Sequence, residues 1–464
     1  MTNPTTRNLL AMSILSALLL GCGNAETTIN ELESIVVPDT ETDDHTSGDT
    51  DGDYIINSLG RLAVTSTQSN NISLLDIDDG SLLDNFALKY DGTSISASAN
   101  NRYVVLNSRN FDTVQFLDAG LWREDHVAHI HDYQQAPSMS DFELSGIKPT
   151  HLSAHEGNLA VFYDGDSEAG LPAAIHLVSD NDINSQTTVP TFLEYPVNMH
   201  GVALPRGEFV IATIRREDSD NTSNNNTLPD QVAVHHIHDE ELELEQVIDM
   251  ACPDLHGAAQ NHEFLAFGFS DGVMVIHDHD GEFEAHKIPN IEAINKVRIG
   301  TIYGHENSEL LVGIASTHGS GAATVLTITP EENEMELLDW QGLENANPVS
   351  YSFTYDGAHF VILDDQGYVT ILAVEQHEGH THLEFENRLS VTELDVATMP
   401  EGTSFGMAVS KNDNHIYVSD PMSQHILQID IETMSIEGDM ELDFIPAAIV
   451  WLGIAAEDHD NGHH

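Results

Sequence analysis

Between about residues 54 and 454 the chain alternates short apolar runs with polar turns, and no long helical period interrupts them. RLAVTST, NISLLDI, RYVVLNS, TVQFLDA, LAVFYDG, FVIATI, FLAFGFS, GVMVIHD, HFVILDD, YVTILAV and HIYVSDP each run or alternate apolar for a few residues. Gly, Asn and Asp punctuate them, as between short strands. A repeat then selects among sandwich, barrel and propeller. Each copy opens on a strand of small residues, followed by a turn, an apolar strand and a strand ending in Asp. The opening strands are TSISASAN, THLSAHEG, HGVALPRG, HGAAQNHE, GTIYGHEN, SYSFTYDG, FGMAVSKN and AAIVWLG, starting near residues 93, 150, 200, 256, 300, 350, 405 and 447. A spacing of roughly 40 to 57 residues suits four-stranded blades. The last copy has no outer strands after it, and RLAVTST and NISLLDI have no inner strand before them. The two halves complete one blade. The expected fold is all-β, a single β-propeller of eight blades (seven is the alternative count) closed by N- and C-terminal strands.

The two ends read differently. Arg7 precedes LLAMSILSALLL, an apolar run of signal-peptide length that is too short to span a bilayer. LLGC follows, and small residues before Cys22 resemble the lipobox of bacterial lipoproteins. Residues 1–21 are therefore expected to be a lipoprotein signal peptide, with lipid on Cys22. Residues 22–53 are acidic and poor in aromatics, and read as a flexible tether with an r.m.s. reach of roughly 30 Å. Residues 54–454 form the propeller and residues 455–464 an acidic, His-bearing tail. The expected location is the periplasmic face of a bacterial membrane. Gly23 after the cysteine points to the outer membrane.

Charge excludes one class of partner. The 464 residues hold 15 basic and 77 acidic side chains, a net charge of -62. Nucleic acid and anionic lipid are disfavoured, whereas divalent cations are attracted. Contact with a membrane is expected only through the lipid, and the expected state is a monomer. There are two cysteines; with Cys22 lipidated, Cys252 has no partner for a disulfide and reads as a buried apolar residue.

Histidine is abundant, with 27 residues. Aligning the repeats puts three of them at one structural position: KPTH ends at His151, VNMH at His200 and PDLH at His256. Each opens the innermost strand of consecutive blades, and such strands line the central channel. Three imidazoles converging there suit Zn²⁺, which takes nitrogen ligands in tetrahedral geometry. The alternative is that each hydrogen-bonds a neighbouring blade. A second cluster, EDHVAHIHDYQ, supplies His126, His129 and His131 from an insertion between blades. This loop is expected either to close over the channel mouth and add a fourth ligand, or to collect metal by itself. VHHIHDEE (His235, His236, His238) and HEGHTH (His377, His380, His382) are weaker candidates. The motifs G-x-S-x-G, H-E-x-x-H and a Walker loop are absent from the sequence. Asp164, Asp166 and Asp271 follow apolar strands, where they read as turn formers rather than as ligands of a Ca²⁺-dependent enzyme.

GIKPTHLSAHEGNLAVFYDGDSEA, MHGVALPRGEFV, ACPDLHGAAQNHEFLAFGFSDGVMVI and HIYVSDPMSQHILQIDIETM resemble the periplasmic zinc metallochaperones of the AztD family, from about residue 60 to the end of the fold. KPTH, HGVA and CPxLHG are the specific parts. The resemblance implies a β-propeller with a His-rich loop that is not an enzyme and that passes zinc to the solute-binding protein of a zinc ABC transporter. It implies zinc at His151, His200 and His256 and a loading loop at His126, His129 and His131. The lipobox and the acidity depart from the family pattern and leave donation, scavenging and storage open. The competing readings are a propeller enzyme of lactonase or dehydrogenase type and a protein-binding scaffold.

Overall fold

The computed structural model describes residues 53–456, except 127–128, 188–189, 239–240, 280 and 317–322. The signal peptide, Cys22, the tether up to residue 52 and the tail from residue 457 lie outside the described residues.

Six four-stranded antiparallel sheets and one eight-stranded sheet account for the propeller strands. The eight-stranded sheet is two four-stranded units whose outermost strands meet in a single parallel bridge, Phe192 to Glu241. In chain order the units open on innermost strands Ser94–Ala97, Pro149–His155, Ala203–Arg206, Ala258–Gln260, Ile299–Tyr303, Pro348–Phe353 and Gly406–Val409. The remaining unit is built from both ends of the described chain. Its innermost strand is Pro446–Leu452, which pairs antiparallel with Arg61–Ser66. Trp451 Nε1 donates to the Leu59 carbonyl at 2.9 Å across this closure. Each of the eight aligned small-residue segments in the sequence thus forms an innermost strand.

The burial gradient explains the sequence pattern. The second strands Tyr103–Ser108 and Phe264–Phe269 are buried at every residue, because neighbouring units cover both of their faces. They therefore read as continuous apolar runs. The outermost strand Glu241–Val247 is exposed at all but one position and alternates acidic with apolar residues. Among the described residues the core is not one body but eight clusters, each wedged between consecutive units. The cluster of Leu62, Val64, Tyr417, Ile449 and Trp451 seals the last unit against the closing one. The cluster of Ala63, Ile72, Val104 and Leu106 seals the closing unit against the next.

This topology fixes two faces. Within a unit the strands run antiparallel, so the starts of innermost strands share a face with the connections from second to third strands. Connections from first to second and from third to fourth strands lie on the other face.

Candidate metal centre

His151, His200 and His256 stand at or just before the starts of three consecutive innermost strands. Each is placed by a local departure from regular pairing. In Pro149–His155 the register slips between Pro149, opposite Tyr163, and Leu152, opposite Val161. This bulge re-aims His151. His200 and His256 each precede a glycine. A Cβ on Gly201 would lie 2.4 Å from the Phe162 ring, and one on Gly257 2.8 Å from the Gly300 backbone. Only glycine lets these chains approach the neighbouring strands so closely, and that approach brings the preceding imidazoles inward.

The three rings converge. Nε2 of His151 lies 3.2 Å from Nε2 of His200, which lies 3.1 Å from Nε2 of His256. All three ligand atoms fall within 4.8 Å of one another, and all three residues are half-buried. Four ligands arranged tetrahedrally at about 2.0–2.1 Å from an ion stand about 3.3 Å apart, so the spacing fits a metal ion.

The outer partners set the tautomers. Nδ1 of His200 is 2.8 Å from Oδ2 of Asp164. The same oxygen takes a hydrogen bond from Arg109 Nη2 at 2.7 Å. Burial opposes charge on Asp164, but these bonds from His200 and Arg109 outweigh it and hold the carboxyl below its usual range. An ionised Asp164 accepts only, so Nδ1 of His200 carries the proton. Nδ1 of His256 lies 2.9 Å from the Gly300 carbonyl, which also accepts only. When both rings are neutral, their Nε2 atoms therefore present lone pairs to each other at 3.1 Å. This contact is repulsive unless a cation lies between them. Such carboxylate and carbonyl partners are the usual outer shell of metal-bound histidine. Burial, with His200 and His256 close by, pushes the His151 pKa down to about 3, so that imidazole is neutral and a competent ligand at pH 7.

The second cluster lies elsewhere. Leu121–Asp125 and Ile130–Gln134 form a two-stranded hairpin between Thr113–Asp118 and Ser138–Ser145, the third and fourth strands of their unit. It is an insertion within a unit rather than between units, and it belongs to the opposite face from the three channel histidines. The expectation that it closes over their mouth and adds a fourth ligand is thereby overturned. Antiparallel strand order puts a third-to-fourth connection on the far side. The hairpin does gather its own rings, with centroids of His126, His129 and His131 4.6–5.3 Å apart. Nδ1 of His129 is buried and has no hydrogen-bond partner among the described residues.

The other candidates pair, His236 with His238 and His377 with His382 at ring centroids 6.5 Å apart, but gather no three-ligand group among the described residues. His235 is buried within Gln231–His238, and Nδ1 of His380 pairs with Glu332 at 2.5 Å. Cys252 is fully buried, and burial pushes its thiol pKa up to about 12, which leaves it an apolar core residue. Asp166 pairs with Lys148 at 2.6 Å and Asp271 with Lys287 at 2.7 Å. The carboxylates suggested for a calcium enzyme are thus separately neutralised. The turn reading of Asp164 missed its part in the centre, as the sequence reading missed Arg109 and Gly300. The one available signal was an Asp ending the strand after THLSAHEG, in the blade that carries His151.

No family model matches the chain. Over 414 residues it is 22% identical to a protein of Citrobacter koseri named zinc chaperone AztD, covering 87% of this chain and 90% of that one. The structure of apo AztD from Citrobacter koseri superposes with a TM-score of 0.67 at 19% identity, over 86% of this chain and 98% of that chain. The dihydro-heme d1 dehydrogenase NirN follows with a TM-score of 0.53 at 12% identity, over 85% of this chain and 76% of that one. Likeness at these identities shows the fold alone: a β-propeller. The resemblance first carried by KPTH, HGVA and CPxLHG extends along most of the chain, and the curated relative bears the name of a chaperone, not of an enzyme.

Proposed function

We propose that this chain is a zinc carrier of the bacterial cell envelope, holding Zn²⁺ through Nε2 of His151, His200 and His256 and releasing it to a protein partner. The observation that carries the proposal is the 3.1–3.2 Å spacing of three Nε2 atoms, two of them on rings whose Nδ1 faces an acceptor, Asp164 or the Gly300 carbonyl, so that the neutral ring keeps its proton at Nδ1 and its lone pair at Nε2. Zn²⁺ accepts an all-imidazole set and makes no d-electron demand on geometry. Three protein ligands leave a fourth position for an incoming ligand, as transfer between proteins requires. The likeness to a protein named zinc chaperone supports zinc as cargo. By the same resemblance, the receiver is the solute-binding protein of a zinc ABC transporter. The hairpin with His126, His129 and His131 serves as a separate loading surface on the opposite face. Lipid on Cys22 holds the carrier at the periplasmic side of the outer membrane. With the anchor at the outer membrane and the transporter in the inner one, a soluble partner comes to collect the ion.

The test is a chelator-competition titration of Zn²⁺ at pH 7.5 into the wild type and the His200→Ala/His256→Ala variant. The tightest site of the wild type is expected to lose at least about 100-fold in affinity, more than removing one outer-shell partner costs. A double variant that keeps wild-type affinity sinks the proposal.

A further inference from the structure

We propose a second divalent-metal site on the unit of strands Gly406–Val409, His415–Asp420, His425–Asp430 and Ser435–Glu441, formed by His415, Asp430 and Glu437. It shares no residue with the three-histidine centre and does not depend on that reading. Strand register assembles it. His415 opens the second strand directly opposite Asp430, the last residue of the third. Asp430 in turn faces Ser435. Glu437 is two residues further along, the unpaired residue of a bulge where the register slips between Ile429, opposite Ile436, and Gln428, opposite Gly438, and such a bulge re-aims its side chain.

Nε2 of His415 lies 3.9 Å from Oδ2 of Asp430 and 3.7 Å from Oε2 of Glu437. The three ligand atoms all fall within 4.8 Å. Both carboxylates are held with one oxygen turned away and one turned in. Oδ1 of Asp430 accepts from the Thr433 amide at 2.7 Å, and Oε1 of Glu437 faces the Thr433 hydroxyl at 3.5 Å. Oδ2 and Oε2 remain for the site. On the other edge of the ring, Nδ1 of His415 lies 2.7 Å from Oδ2 of Asp413. The contact is not aligned as a hydrogen bond, but it places a carboxylate behind the ring, where such a group supports a metal-bound imidazole.

Asp413, with Asp430 and Glu437 beyond it, holds the His415 pKa above its usual value, so the pocket favours a cation there: a proton on the ring, or a metal ion that displaces it. Nε2 of His415 is buried and has no hydrogen-bond partner among the described residues. It faces two carboxylate oxygens that can only accept. A neutral imidazole with its Nδ1 proton turned to Asp413 would set three lone pairs against one another. One imidazole and two carboxylates suit a first-row divalent ion such as Zn²⁺ or Mn²⁺, with water completing the shell. Glu437 is exposed, so an ion could exchange with solvent. With two carboxylates in place of imidazoles, the site is less selective for Zn²⁺ than an all-histidine set.

The test uses the full chain carrying His200→Ala and His256→Ala, titrated with Zn²⁺ at pH 7.5 in about 150 mM salt, where diffuse attraction to acidic residues is screened. Adding Glu437→Gln, or His415→Ala, is expected to weaken one remaining site at least tenfold. Circular dichroism establishes that each variant is folded. Glu437→Gln lies on an exposed edge and keeps the test valid should His415→Ala unfold. A titration curve that Glu437→Gln leaves unchanged overturns the proposal.

Discussion

Asp164 decides how the three histidines behave. By accepting from Nδ1 of His200 it fixes the tautomer, and its charge supports metal on the far side of the ring. Asp164→Asn keeps the shape but offers an amide in place of a charged acceptor. It is expected to weaken zinc binding about 10–100-fold without loss of fold, checked by competition titration beside a thermal melt. His151 sets a pH dependence. Its pKa is pushed down to about 3 in the folded protein from an ordinary 6.5. Between these values the unfolded chain binds a proton that the native state does not. The metal-free protein therefore loses stability as pH falls through that window, and above it this contribution is level. Urea midpoints from pH 7 down to pH 4 are expected to fall less steeply for His151→Asn than for the wild type. Equal slopes would count against a neutral, desolvated His151. The sequence made the three histidines legible because a repeat stacks equivalent positions. It could not make Asp164, Arg109 or Gly300 legible as partners, since they lie 36, 55 and 44 residues from the groups they touch.

At the scale of elements, the second histidine cluster shows what spacing can and cannot say. The pattern HVAHIH in a polar insertion is enough to expect grouped imidazoles, and the hairpin of Leu121–Asp125 and Ile130–Gln134 does group them. Which side of the molecule it occupies depends on the strands it joins, and no local pattern encodes that. Replacing residues 123–133 by a short Gly-Ser turn is expected to leave the tightest zinc site unchanged within about twofold, because the hairpin adds no ligand on the opposite face. The check is the same titration. A large loss of affinity at the tightest site would show that the hairpin reaches the channel centre after all.

At the scale of the whole molecule, closure is the point of vulnerability. The strand Pro446–Leu452 completes a unit begun by Arg61–Ser66, and it buries Ile449, Trp451 and Leu452 between the two neighbouring units. Removing three such side chains costs about 1.5–3 kcal/mol each, and an opened ring also exposes an unpaired strand edge. Against a typical margin of 5–15 kcal/mol, a chain ending at residue 445 is expected to lose cooperative unfolding and to aggregate, as near-UV circular dichroism and gel filtration would show. The all-β class, the repeat, the inner strands and the three inward histidines are legible in the chain before it folds. These follow from periodicity and composition, which are properties of neighbouring residues and of equivalent positions in successive repeats. Which carboxylate backs which imidazole, on which face the hairpin lies, and that His415, Asp430 and Glu437 meet are set only once the chain has folded. Such pairings depend on register between strands and on the closing of the ring, where residues far apart in the chain become neighbours in space.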